Sequence, residues 1–222
     1  MADYGALLID QQGNPYYILD TMPLCLISKQ SFSRTAVNGV IDIHDNDSTF
    51  RYVFCRGSAV GVNFYYALNQ TSGKYAIFSS GPGTYTVDVY IFGYQYQTPP
   101  KVGIAIWDAQ GRCVITNETK VLRGVTTVGD SSNPNNSGYN VTGNLSGDWA
   151  IAPDILGYMT GVINQGGQVY PFVAPAYSSA YKSGANTIIK AEFRGDSGGG
   201  GAGNIQYTNH RNTIKAIDIS RY

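Results

Sequence analysis

Apolar positions along this chain come in short runs that stop at Gly, Pro, Asn or Asp, and helical spacing is nearly absent. Most runs are four to eight residues long and rich in Val, Ile, Tyr and Phe, which is the pattern of strands rather than helices. They predict strands over residues 5–10, 16–19, 24–28, 39–43, 50–55, 62–68, 75–78, 84–94, 101–108, 112–116, 120–123, 167–173, 187–194, 204–208 and 213–219. Residues 148–158 have mild helical spacing, but Pro153 and Gly157 interrupt it. That segment predicts a turn or one short helical turn.

An internal echo organises the pattern. Gly5-Ala-Leu-Leu-Ile-Asp10-Gln-Gln-Gly13 returns 98 residues later as Gly103-Ile-Ala-Ile-Trp-Asp108-Ala-Gln-Gly111, and the register continues to Thr21/Thr119 and Leu24/Leu122. In each copy the Asp caps its own backbone and the closing Gly takes a left-handed conformation, which predicts a type I turn with a Gly bulge closing a hairpin. The echo divides the chain near Thr98-Pro99-Pro100. The expectation is therefore an all-β protein of two β-sandwich-like domains, residues 1–98 and 99–222, with long Gly/Asn/Ser-rich loops. Two such loops, residues 129–138 and 195–203, read as exposed and mobile. The terminal strand over 213–222 reads as an edge able to pair across subunits.

Charge changes the picture by exclusion. Lys+Arg and Asp+Glu are 15 each in 222 residues, and 14% of residues are charged, against about 25% in an average domain. Neither a basic nucleic-acid footprint nor an acidic tail exists, so no nucleic acid is expected as a partner. The 27 Gly and 18 Tyr suit turns and half-buried strand faces. The amino terminus lacks the basic region and cleavage site of a signal peptide. Residues 155–181 carry no charge, yet their glycines, prolines, Asn164, Gln165 and Gln168 make a membrane helix untenable. Cys25, Cys55 and Cys113 are odd in number and widely spaced, which predicts reduced, buried thiols and no disulfide framework.

Several motifs invite chemistry. Gly195-Asp-Ser-Gly-Gly199 resembles the nucleophile loop of chymotrypsin-like proteases, and His44, Asp88 and Ser197 even follow that family's order. Here, however, the motif runs on into Gly200-Gly-Ala-Gly203, and His44 sits among Asp42, Asp45 and Asp47. A run of glycines cannot hold oxyanion donors in place. The acidic turn itself lacks the Gly and bidentate Glu of a calcium loop and reads as a solvated turn. The aromatic stretches 63–66 and 90–96 could stack on sugars, but alternating Tyr residues in strands are chiefly packing positions. No catalytic, cofactor or metal site is expected.

The opening Met1-Ala-Asp-Tyr-Gly5, the strand and Asp10-Gln-Gln-Gly13 that follow, and their recurrence as Val102-Gly-Ile-Ala-Ile-Trp-Asp-Ala-Gln-Gly111 resemble small tail proteins of tailed bacteriophages. The resemblance covers roughly residues 1–125, and beyond it the chain is similar in a general way to tail-tip and fibre proteins. It implies a non-enzymatic virion component near the distal tail, made in the host cytoplasm. Its partners would be itself, as a homo-oligomer, and neighbouring tail proteins. The second reading is a module binding host polysaccharide or protein through Asn133, Asn135, Asn136 and Tyr139 and through Gly195, Asp196 and Gly200. The third is a hydrolase with Ser197 as nucleophile.

Overall fold

A computed structural model describes residues 8–9, 15–16, 22–35, 38–193 and 201–222. The fold is all-β. Its strands are β1 (Leu8–Ile9), β2 (Pro15–Tyr16), β3 (Leu24–Arg34), β4 (Asn38–Asp45), β5 (Arg51–Gly57), β6 (Asn63–Asn69), β7 (Lys74–Ser80), β8 (Tyr85–Tyr94) and β9 (Ala105–Trp107). Then come β10 (Cys113–Thr116), β11 (Thr126–Val128), β12 (Thr142–Ser146), β13 (Trp149–Ile151), β14 (Ile155–Gln165), β15 (Gln168–Ser183), β16 (Asn186–Phe193), β17 (Ala202–Asn209) and β18 (Ile214–Asp218). The remainder includes three single-turn 3-10 segments.

Two strands hold the sheet together by changing partners along their length. β5 lies against β8 throughout, and also meets β13 at Ile151 and β15 at Tyr181. β15 runs beside β14 in its first half, then takes β16 on one side and touches β6 and β5 on the other. Two buried serines fix that crossing: Ser178 Oγ donates to the Phe64 carbonyl at 3.0 Å and Ser179 Oγ to the Val62 carbonyl at 2.6 Å. Because the ladder is broken here, side-chain hydroxyls satisfy carbonyls that a regular partner strand would otherwise take.

The core crosses the expected boundary at residues 98/99. One cluster joins Ile41, Val53, Phe64 and Ile77 to Leu156, Ala180, Ile189 and Ile214. A second, on the other side of β5 and β8, gathers Phe54, Tyr90 and Phe92 with Ala150, Ile217 and Tyr222. The expected division therefore does not separate two cores. Likewise, β18 lies between β11 and β13, an interior strand rather than the edge expected. Residues 148–158 form β13 and the start of β14, not a turn. Ala150 and Ile151 are both fully buried, so no period-2 alternation marks them as strand. The strand expected over 120–123 is reduced to one bridge between Val121 and Cys25.

The echo is structural as well as sequential. Ile9 pairs with Pro15, and 98 residues on, Trp107 pairs with Cys113. In the second copy Gly111 (φ +75°) donates to the Asp108 carbonyl at 3.0 Å, while Asp108 Oδ1 accepts from Gln110 N at 3.0 Å. That is the capped turn the sequence predicts. The two copies then meet, since Leu122 N donates to the carbonyl of its counterpart Leu24 at 2.7 Å. All three cysteines are buried.

Candidate interaction surface

The sequence placed interaction residues on two loops, and the structure treats the first as a docked element. Asn133 Oδ1 accepts from Asn135 N at 3.0 Å and caps a 3-10 turn over Pro134–Asn136, while Asp130 N donates to the Asn136 carbonyl at 2.9 Å. Asn135 and Asn136 are exposed at its tip. Ser137 and Gly138 are buried, and Tyr139 turns inward to stack on Tyr207 with ring centroids 4.9 Å apart. Asn209 clasps the loop, its Oδ1 accepting from Tyr139 N and its Nδ2 donating to Ser137 Oγ, both at 3.3 Å. The expectation of a wholly exposed, mobile loop fails because its last residues supply an anchor. Gly195, Asp196 and Gly200, with Ser197, lie outside the described residues.

What the loop docks onto is a three-stranded arm, of which the sequence reading predicted strands over 167–173 and 204–208 but missed β14. β14 pairs with β15 from Gln165 and Gln168 down to its base, and its other edge pairs with β17. Gly166 and Gly167, at φ +62° and +85°, make the tight turn at its tip; positive φ at both positions is what a two-residue type I′ hairpin needs. Side chains on opposite faces of this arm stay exposed: Val169 (61%) and Val173 (64%) on one, Tyr170 (48%) on the other, where Tyr139 and Phe193 cover part of Tyr207. The signal was in the sequence, since residues 155–181 lack any charge. A second exposed apolar stretch leads into β9, where Val102 is 89% exposed and Ile104 67%.

The chemical motifs resolve into packing. Tyr65 stacks between Phe78 and Tyr177 at 4.8 and 4.6 Å, and Tyr75 stacks on both Tyr66 and His44 at 5.2 Å. In the stretch 63–66 rings so packed on one another offer no platform to a sugar, whereas in 90–96 Tyr94 and Tyr96 stay exposed. His44 Nδ1 lies 2.7 Å from the Asp45 carbonyl and 3.2 Å from an Arg51 guanidinium nitrogen, and its Nε2 bonds to Tyr66 Oη. Burial pushes that phenol up to about 12, which keeps its proton on. Asp88 instead accepts from Ser31 Oγ at 2.8 Å and Arg56 at 3.1 Å. His44 and Asp88 thus form no catalytic pair. Nor do the neighbouring carboxylates converge: Asp42 accepts from Asn69 and Ser72, Asp45 pairs with Lys74, and Asp47 forks onto Arg51. Among the described residues no acidic, His or Cys cluster is arranged to hold a metal ion, and no helix is long and apolar enough to cross a membrane.

A charge network also links strands from the two halves of the chain. Arg56 bridges Asp148 at 2.6 Å and Asp88 at 3.1 Å, and Lys182 reaches Asp148 at 3.1 Å. Lys182 first, then Arg56, hold the Asp148 carboxyl below its ordinary range. A carboxyl depressed in the folded state adds stability above its unfolded value of about 3.9 and loses it as pH falls through the lower folded value. Stability should therefore be level near neutrality and decline below about pH 4. In Lys182→Met the decline should be shallower, and urea midpoints at acid and neutral pH measure it. An unchanged acid slope would show that Lys182 does not set it.

No family profile, curated protein or solved structure matches the chain.

Proposed function

We propose that this chain is a non-enzymatic structural component of a bacteriophage virion tail, placed near the distal end and assembled with itself and neighbouring tail proteins. One observation carries the reading: the fold holds out an uncharged β arm with apolar side chains uncovered on both faces. An isolated soluble domain gains nothing from such an element, whereas an assembly buries it. The resemblance of residues 1–125 to small tail proteins supports the same reading, as does the low charge. Function then resides in surfaces rather than in a reactive group.

Host binding is the alternative, and the ring stacks of β6, β7 and β15 weigh against its sugar-platform form. Mass spectrometry of gradient-purified particles produced by the genome that carries this sequence tests the proposal. The chain should be present in fixed copy number per particle, and deletion of its gene should give particles with incomplete tails. Normal particles that lack the chain would overturn it. Saturable binding of the free protein to purified host envelope would move the reading toward attachment.

A further inference from the structure

Cys25, Gln97 and Thr119 converge from three segments at the seam where the two hairpin copies meet, and the assembly reading makes no use of them. We propose that Cys25 and Gln97 join in an intramolecular thioester, a covalent staple between β3 and the segment that follows β8.

The contacts place both ends of that bond side by side. Gln97 Nε2 donates to Cys25 Sγ at 3.3 Å and to the Gln95 carbonyl at 2.8 Å. The carbon to be attacked, Cδ, is one bond away from that nitrogen. The thiol hydrogen points to the Gly93 carbonyl at 3.6 Å, which leaves sulfur lone pairs facing the amide. Backbone pairing holds the two side chains in place. Cys25 lies between Gly93 on β8 and Val121, and Gln97 N donates to the Cys113 carbonyl at 2.8 Å. Reactants fixed in this way meet at effective molarities of about 10⁵ M or more when well oriented.

Thr119 supplies the third part. Its hydroxyl donates to Gln97 Oε1 at 3.3 Å, the oxygen that gains negative charge when Cδ is attacked. Its own oxygen accepts from Thr116 N at 2.8 Å, so Thr119 serves as the donor and Cys25 as the nucleophile. The Sγ–Cδ bond forms, the Cδ–Nε2 bond breaks, and the thiol hydrogen leaves with the nitrogen as ammonia. The exchange consumes no oxidant and no reductant. Burial pushes the Cys25 thiol up, and the Gln97 amide and the Gln95 backbone draw it only part of the way back. The reaction is therefore slow at neutral pH and quickens as the thiol ionises. At 2% exposure the sulfur is shielded from the water that would hydrolyse the product, while half-buried Gln97 leaves ammonia a way out.

Intact-mass spectrometry of the full chain, with thiols counted in denaturant, tests this. The protein is held at mildly alkaline pH until its mass is constant. It should then be lighter than its sequence by one ammonia, with two of its three cysteines titrating. Methylamine added during unfolding should open the bond, leaving one methylamide on Gln97 and restoring the third thiol. Cys25→Ala and Gln97→Glu should keep their full sequence mass, and Thr119→Val should form the bond about 100-fold more slowly. The wild-type mass and thiol count do not depend on any variant folding. A wild-type chain of full mass with three titrating thiols overturns the inference. So does an ammonia loss that persists in Cys25→Ala, which would assign it to an ester at Thr119 or a succinimide at Asn38-Gly39. Neither result bears on the tail reading, because the bond forms within one free chain.

Discussion

Phe64→Ala should cost this protein about 3–5 kcal/mol, the usual toll for removing a fully buried phenylalanine. Total stabilities lie at about 5–15 kcal/mol, so the variant should be near the limit of folding at ambient temperature. Phe64 has no exposed surface, and its cluster draws on strands from both sides of residue 98. Its carbonyl accepts the Ser178 hydroxyl, and that hydroxyl in turn accepts from Asp154 N at 3.0 Å. Losing the ring should therefore loosen β15 and the start of β14 together with β6. Urea unfolding followed by tryptophan fluorescence and by circular dichroism should give one coincident transition, shifted to lower urea with its slope kept. Two transitions, with only one shifted, would mean that the halves fold separately after all.

That shared core is what the sequence could not display. Runs such as Val53-Phe-Cys55 and Val87 to Phe92 announce strands plainly, because β-branched and aromatic residues bounded by turns have few other uses. Which strand lies beside which is decided by long-range packing. No periodicity within residues 51–57 reveals that Cys55 will meet Ile151 and Gly57 will meet Tyr181. The repeated hairpin was legible because its turn is local: Asp108, Gln110 and Gly111 make the bonds of the turn among themselves. The same locality misled at the domain scale, for the echo marks a repeated hairpin and not a repeated core. At the arm, the missing charges over 155–181 gave a true signal. Gly157 and Gly161 hid β14, since glycine has low strand propensity and leaves no side chain for alternation to show. Tyr139 could be named as a contact residue from its position, but its inward turn depends on Asn209, seventy positions away in sequence.

Gly157→Val should act at the junction of arm and loop, at a cost of about 1–3 kcal/mol or more. A Cβ at this position would lie 2.6 Å from the Thr208 carbonyl oxygen and 3.1 Å from the Tyr139 Cβ. Neither obstacle is the far end of a flexible chain, so relief requires β17 to move from β14 or the 129–140 loop to lift. Either movement breaks the clasp of Asn209 on Tyr139 and Ser137. Hydrogen exchange should therefore quicken first in the amides of β17 and of residues 137–141, while β5 and β8 stay protected. Gly166→Ala offers the contrast. It meets nothing within 4 Å at the arm's tip, and its penalty is the left-handed φ of +62° alone, worth about 1–2 kcal/mol for a residue with a Cβ. Its exchange should quicken at the turn and not at β17. If Gly157→Val folds with wild-type protection across residues 202–209, the close approach at the base of the arm does not hold β17 in place. The arm would then owe its order to contacts beyond its own junction.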